Sequence, residues 1–279
     1  MILTLNPVTT GGAFLEFLDA ASGAGFPAIE YDIRPFAEIA EKQSLEAARE
    51  LLSSRNLVLG CIGLPVEFRR SEEEFEQELA ELPRLAAFAR ELGVERCCTW
   101  LMPTTDEPVA EYTCRTVVRL RKCAQILGAQ GIRFGLEWVG PKTLRTQKYD
   151  FIHDLRGALD LIDAIGEPNV GLLFDSFHWF TSGGTAQDIL NLRSEQIVLV
   201  HMNDAPNEPV DEQLDQVRLL PGEGIIDLAA MFESLGRIGY DSYVSVETFG
   251  KELPALGAKE AAVRTKAAAD KTLHALKNT

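Results

Sequence analysis

The chain has 279 residues, 46% of them apolar, and a formal net charge of −15. It is long and apolar enough to bury a large core. An acidic balance without any basic block argues against a nucleic-acid partner, which is held by Lys and Arg that displace counterions, and disfavours anionic membrane surfaces. No apolar run approaches the roughly 20 residues needed to cross a bilayer. The start, Met1 to Pro7, lacks the basic region and long apolar core of a signal peptide. The five cysteines, Cys61, Cys97, Cys98, Cys114 and Cys123, are odd in number and show no CxxC spacing. Reduced thiols in a cytoplasmic protein are therefore expected. Cys97 and Cys98 are neighbours on a predicted strand and point to opposite faces, which disfavours a disulfide between them.

Taken in order, the pattern predicts a strand at 2–6 and a helix at 11–24. Residues 28–33 set Ile29, Tyr31 and Ile33 against Glu30 and Asp32, the period of two that marks a strand. Ser44 caps a helix at 44–54, and 57–64 is apolar throughout, as buried parallel strands are. Ser71 and the glutamates after it resemble a capping box opening a helix that runs to about 92. Strands follow at 97–102, 132–139, 170–177, 197–203 and 242–249, with helices at 111–128, 155–165, 186–192, 227–238 and 259–276 between and after them. A long polar loop, 204–226, interrupts the rhythm. Strict strand–helix alternation means parallel strands with helical crossovers. At this length the expected fold is α/β, a single (β/α)8 TIM barrel over residues 1–279. A doubly wound sheet would need a glycine-rich phosphate turn, and Gly11-Gly12 is not GxGxxG.

Four predicted strands end in groups that can bind a metal or move a proton: Glu137, Asp175, His201 and Glu247. In a barrel, active sites sit at these strand ends. Parity is consistent with one shared mouth, because each terminal residue has only small or apolar partners on its own face. These are Gly135 for Glu137, Gly171 and Leu173 for Asp175, Ile197 and Leu199 for His201, and Tyr243 and Ser245 for Glu247. One carboxylate at a strand end is more often a cap or ion-pair partner; agreement across four strands is harder to reach by chance. Oxygen donors with one imidazole suit one divalent ion, Mn²⁺ first, with Mg²⁺, Co²⁺ or Zn²⁺ compatible. Glu30, if inward-facing, would support the site from behind. His178 stands three residues past Asp175, either in the site or as a helix cap. Trp100, Trp138 and Trp179 lie at or just past strand ends and can either stack on a sugar ring or pack under loops. Asn203 and Asp204 either orient His201 or turn the chain, and Glu223 in Pro221–Gly224 shapes a tight loop. Arg69 reads as a solvated side chain.

At these residues the chain resembles the xylose-isomerase-like barrel superfamily of sugar isomerases and epimerases. The motifs are GLEW around Glu137, FDSFH around Asp175 and His178, VHMND around His201, LLPGEGIIDL at 219–228, VSVETFG around Glu247, and the early Gly25–Glu30 stretch. Within it the likeness is greatest to inosose isomerases. The resemblance implies that Glu137, Asp175, His201 and Glu247 are metal ligands, that Glu137 and Glu247 exchange protons with substrate, and that His178 binds a substrate hydroxyl. It also implies a substrate-binding Arg218, although here an acidic loop, 207–216, separates it from His201.

Such a site fits proton abstraction beside a carbonyl, with an ion stabilising the enediolate. Returning the proton to the neighbouring carbon is isomerisation, and to the opposite face epimerisation; expulsion of a β-substituent is elimination. The expected activity is isomerisation or epimerisation of a small carbohydrate or cyclitol such as an inosose. The alternative is a lyase, a dehydratase or β-eliminase of a 3-keto-sugar, keto-glycoside or inosose. A multi-zinc nuclease needs more histidines than the four present, and a sugar-binding protein without turnover would not need the four strand ends. A homo-oligomer is left open.

Overall fold

Short runs of β-branched and apolar residues form eight parallel strands in the computed structural model, which describes residues 1–277. They are β1 (Ile2–Leu5), β2 (Ala28–Tyr31), β3 (Val58–Gly63), β4 (Arg96–Trp100), β5 (Arg133–Glu137), β6 (Val170–Asp175), β7 (Ile197–Met202) and β8 (Tyr243–Val246). Sequence neighbours are neighbours in space, and β8 pairs with β1 to close the barrel. The last two residues of the expected 1–279 barrel lie outside the described ones. No helix among the described residues is long and apolar enough to cross a membrane. All five cysteines are free, with Cys97 in the outer core and Cys98 inside the barrel.

Several helices start where side chains can satisfy their first N–H groups. Ser71 and Glu74 form the capping box of Glu72–Glu91, and Ser44 caps Leu45–Ser53. Several elements differ from expectation: the strands expected to reach 139 and 249 end at Glu137 and Val246, and Thr104–Thr105 pairs antiparallel with Tyr149–Asp150 outside the barrel. Arg34–Lys42 is an additional helix that buries Phe36 and Ala37, with Pro35 in its first turn. The strand expected to reach 177 stops at Asp175, because the Asp175 carboxylate accepts from His178 N at 2.9 Å and opens a six-residue helix, Ser176–Thr181.

The two strand faces serve different layers. Outward residues pack under the helices in the main core, while Cys61, Cys98, Leu173, Val198 and Leu199, with Tyr243, fill the barrel interior. Strict alternation fails at two bulges. In β7, Leu172 pairs with Ile197 but Leu173 with Leu199, leaving Val198 as an extra interior residue. Ile197 therefore faces the helices, not the His201 side as parity predicts, since an extra residue reverses the faces behind it. In β3 the pairing steps from Leu59 to Cys61, and the extra residue is Gly60, where a Cβ would lie 2.8 Å from the Tyr243 ring.

Gly135 sits on the inward face directly below Glu137. A Cβ there would lie 2.7 Å from Cys98 Sγ and 3.2 Å from Val198 Cβ. Overpacking of this kind costs about 1–3 kcal/mol. Gly135→Ala is expected to lose that much stability in urea denaturation, and an unchanged midpoint would show that the barrel floor yields.

Candidate functional site

Register brings the predicted ligands together. Asp175 on β6 lies opposite His201 on β7, His201 opposite Ser245 on β8, and Glu137 opposite Trp100 on β4. Glu247 follows β8 and donates its N–H to Met202 O at 3.3 Å. Glu137, Asp175, His201 and Glu247 are all buried, and one ligand atom from each lies within 4.8 Å of the others. His201 Nδ1 faces Glu247 Oε2 at 3.2 Å, Glu137 Oε1 at 3.6 Å and Asp175 Oδ2 at 3.9 Å.

The donor set fits a divalent ion on a structural test. His201 Nδ1 and Glu137 Oε1 are buried atoms with no hydrogen-bond partner, a costly arrangement unless something else satisfies them. His201 Nε2 contacts Glu30 Oε2 at 3.0 Å. With its proton on Nε2, the ring turns the Nδ1 lone pair toward the carboxylates, the second carboxylate acting from behind as it does on metal-binding histidines.

Neighbours hold three of the four candidate ligands: Glu30 contacts His201, and Asp175 and Glu247 each accept from side chains beside them. Asn203 Nδ2 donates to Asp175 Oδ2 at 2.8 Å while Asn203 Oδ1 accepts from Ser176 Oγ, so Asn203 orients Asp175 and not His201. Asp204 shapes the chain and does not contact His201: its carboxylate accepts from the N–H groups of Ala205, Gly222, Gly224 and Ile226 and ties down the Pro221–Gly224 loop. Gly222 meets the turn with φ +83°. Asn6 joins the site without having been foreseen. Its Nδ2 reaches Glu30 Oε2 at 3.1 Å and Glu247 Oε1 at 3.2 Å. Its signal was positional, a polar residue immediately after the first strand.

His178 and Arg218 lie at the same mouth. Gly140 N–H faces His178 Nδ1 at 3.2 Å and Arg218 Nη2 faces Nε2 at 3.0 Å. A neutral ring has one lone pair, so it accepts from one of them at a time. Gly140 allows this approach, since a Cβ would come within 2.5 Å of His178 O.

The tryptophans separate. Trp100 shares the inward face with Glu137 and is 43% exposed at the mouth. Trp138 is fully buried edge-on against Phe174, with Nε1 directed at His178 O and Ser182 Oγ. Trp179 is also in the main core and bonds Thr185 O. Packing between barrel and helices claims both rings, which leaves them no open face for a sugar. Arg69 is not simply solvated: its guanidinium stacks 3.9 Å from the Trp100 ring, pairs with Glu67, and donates to Trp100 O.

Burial and charge set unequal proton affinities. Burial pushes Glu137 up to about 8, reinforced by Glu247 and Asp175 and opposed by His201. Burial would also raise Glu247, but His201 and Arg218 hold it down to about 2. Burial would lower His201, yet Glu247 and Glu30 raise it well above the usual imidazole range. His178 is lowered to about 4, first by burial, with Arg218 adding to the effect.

A family model described as xylose isomerase-like TIM barrel matches residues 18–275. The inosose isomerase of Bacillus velezensis is 29% identical over 192 residues, 68% of this chain and 66% of that protein, so the match spans just under two thirds of the relative. The 3-dehydroshikimate dehydratase of Pseudomonas aeruginosa is 27% identical over 262 residues, 88% of this chain but 38% of that protein. Among solved structures, a xylose isomerase domain protein from Alicyclobacillus acidocaldarius superposes with a TM-score of 0.92 at 32% identity, covering 99% of both chains. The IOLI protein, whose crystal structure holds a zinc atom, superposes with a TM-score of 0.84 at 24% identity, also over 99% of both chains, a likeness of fold.

A ligand must shed its proton to bind an ion. Burial favours the protonated form of Glu137, and the carboxylates around His201 favour its protonated imidazole. Affinity for a divalent ion should therefore rise from pH 6 to pH 8, with net proton release at pH 7 in calorimetry across buffers of different ionisation enthalpy. A pH-independent affinity without proton release would contradict this.

Proposed function

The chain belongs to the xylose isomerase-like TIM barrel family, and we propose that it is a divalent-metal-dependent isomerase or epimerase of a keto-sugar or keto-cyclitol, inosose-like compounds first. Relatives that match it are named as isomerases and dehydratases, and the chain is an enzyme of that family. The observation that carries the proposal is the convergence of Glu137, Asp175, His201 and Glu247 at one barrel mouth, with ligand atoms within 4.8 Å of one another and with His201 Nδ1 and Glu137 Oε1 buried and unpartnered.

Glu137, Asp175, His201 and Glu247 would hold the ion, Mn²⁺ being proposed for an oxygen-rich set; the zinc in the IOLI crystal belongs to that protein. When bound, the ion supplies Lewis-acid stabilisation of negative charge on substrate oxygen. Glu137, ionised once it serves as a ligand, takes the α-proton and returns it to the neighbouring carbon in isomerisation. Glu247, kept ionised by His201 and Arg218, works from the other side and exchanges a proton with the opposite face in epimerisation. His178, kept neutral by burial, binds a substrate hydroxyl. Trp100 offers its exposed ring to the apolar face of the substrate. A cytoplasmic location goes with the free thiols.

A second reading is a dehydratase on the same residues, favoured by the match to the Pseudomonas aeruginosa enzyme over 88% of this chain. The two separate in D₂O with ion-loaded protein and a panel of keto-inositols and keto-hexoses. Isomerisation or epimerisation puts solvent deuterium into a product that keeps all its oxygens. A product lighter by one water selects the dehydratase, and inertness toward the whole panel would overturn the substrate class.

Positioned acid–base groups contribute about 10²–10⁴ in rate. Glu247→Gln is accordingly expected to lower kcat by at least about 100-fold at saturating ion, with an unchanged circular dichroism spectrum. Near-normal turnover would remove Glu247 from the chemistry.

A further inference from the structure

Arg218 ends the acidic excursion of the 204–226 loop, and its side chain is only 1% exposed. Nη1 donates to Asp175 Oδ2 at 3.0 Å and Glu247 Oε2 at 2.8 Å. Nη2 reaches Asp215 Oδ1 at 2.7 Å and His178 Nε2 at 3.0 Å, and Nε reaches Asp215 Oδ1 at 3.3 Å. A guanidinium has no donors beyond these, so none is left for a substrate hydroxyl. The Phe177 and Phe249 rings lie 5.2 Å and 4.6 Å from the guanidinium carbon and keep water from screening it.

The acceptors of Nη1 are the oxygens that approach His201 Nδ1 at 3.9 Å and 3.2 Å. An ion held by the cluster draws on those oxygens and sets its charge beside the guanidinium. We propose that Arg218 competes with the divalent ion for Asp175 Oδ2 and Glu247 Oε2, so that ion binding releases the Nη1 donors toward substrate and loosens residues 214–218. This rests on the metal site proposed above.

The surrounding structure leaves only that short segment able to respond. Upstream, Asp211 pairs with Lys142 at 2.5 Å and Gln213 O accepts from Thr143 Oγ1 at 2.7 Å. Downstream, Leu219 is bridged to Asp204 in both directions. Between these anchors Leu214 and Val217 are 53% and 46% exposed. Beside them opens a cleft of about 970 Å³, bounded by the segment from Gln216 to Glu223 and that from Thr248 to Pro254. A displaced guanidinium has room there.

The test is calorimetric titration of Mn²⁺ and Zn²⁺ into the wild type, Arg218→Gln and Arg218→Lys at one pH. Loss of the charge should tighten ion binding at least ten-fold, while the lysine variant stays within about three-fold of wild type. A folded glutamine variant that binds no more tightly than wild type overturns the competition. Silence in all three proteins overturns the metal site itself, and this inference with it. A second measurement needs no variant: trypsin cleavage after Arg218, followed by mass spectrometry against the other tryptic sites. Saturating Mn²⁺ should speed that one cleavage several-fold, and an unchanged or slower rate overturns the release.

Discussion

The architecture depends on gathering carboxylates inside an apolar barrel. Glu30, Glu137, Asp175 and Glu247 are all buried and close together. Charges removed from water are tolerated only when paired or hydrogen-bonded. The chain supplies two partial answers. His201 contacts Glu30 through one nitrogen and faces the other three carboxylates with the second, and Arg218 caps the group from above. The remaining mismatch appears as the raised proton affinity of Glu137 and the unpartnered Nδ1 of His201. A divalent ion, as proposed, would answer both at once.

The polar residues around this cluster act by fixing orientation. Asn203 and Ser176 lock Asp175, Asn6 links Glu30 to Glu247, and Asp204 ties the loop that delivers Arg218. Asn6, Ser176 and Asn203 each follow directly on a strand end, and Asp204 one residue later, where the backbone is stiff and the side chain is still free to turn inward. Preorganisation follows from that placement, since the donors need not rearrange when charge develops. Close backbone approach supports it from beneath, with glycines at positions 135, 140 and 171 sitting where any Cβ would collide.

Trp138 and Trp100 show how a strand end divides two jobs. One residue apart from Glu137, Trp138 turns outward, fills the core and braces His178 through its indole N–H. Trp100, paired with Glu137 across β4 and β5, turns inward and is held by the Arg69 stack. The same residue type thus serves packing in one case and the mouth in the other, and only the face of the strand separates them.

The barrel and its four inward donors were legible in the chain itself, because strand–helix alternation and period-two parity are local properties. Glu137, Asp175, His201 and Glu247 each stand at a strand end, and strand ends converge in a closed parallel barrel. Parity could not foresee the extra residues at Gly60 and Val198, since a bulge depends on the partner strand. Nor could it say that Asn6 touches Glu247 across 241 positions, or that Asn203 serves Asp175. Whether Trp138 or Trp100 meets the mouth, and which acceptors the Arg218 guanidinium finds, were decided by tertiary packing. Those contacts join residues far apart in the chain, where local pattern carries no information.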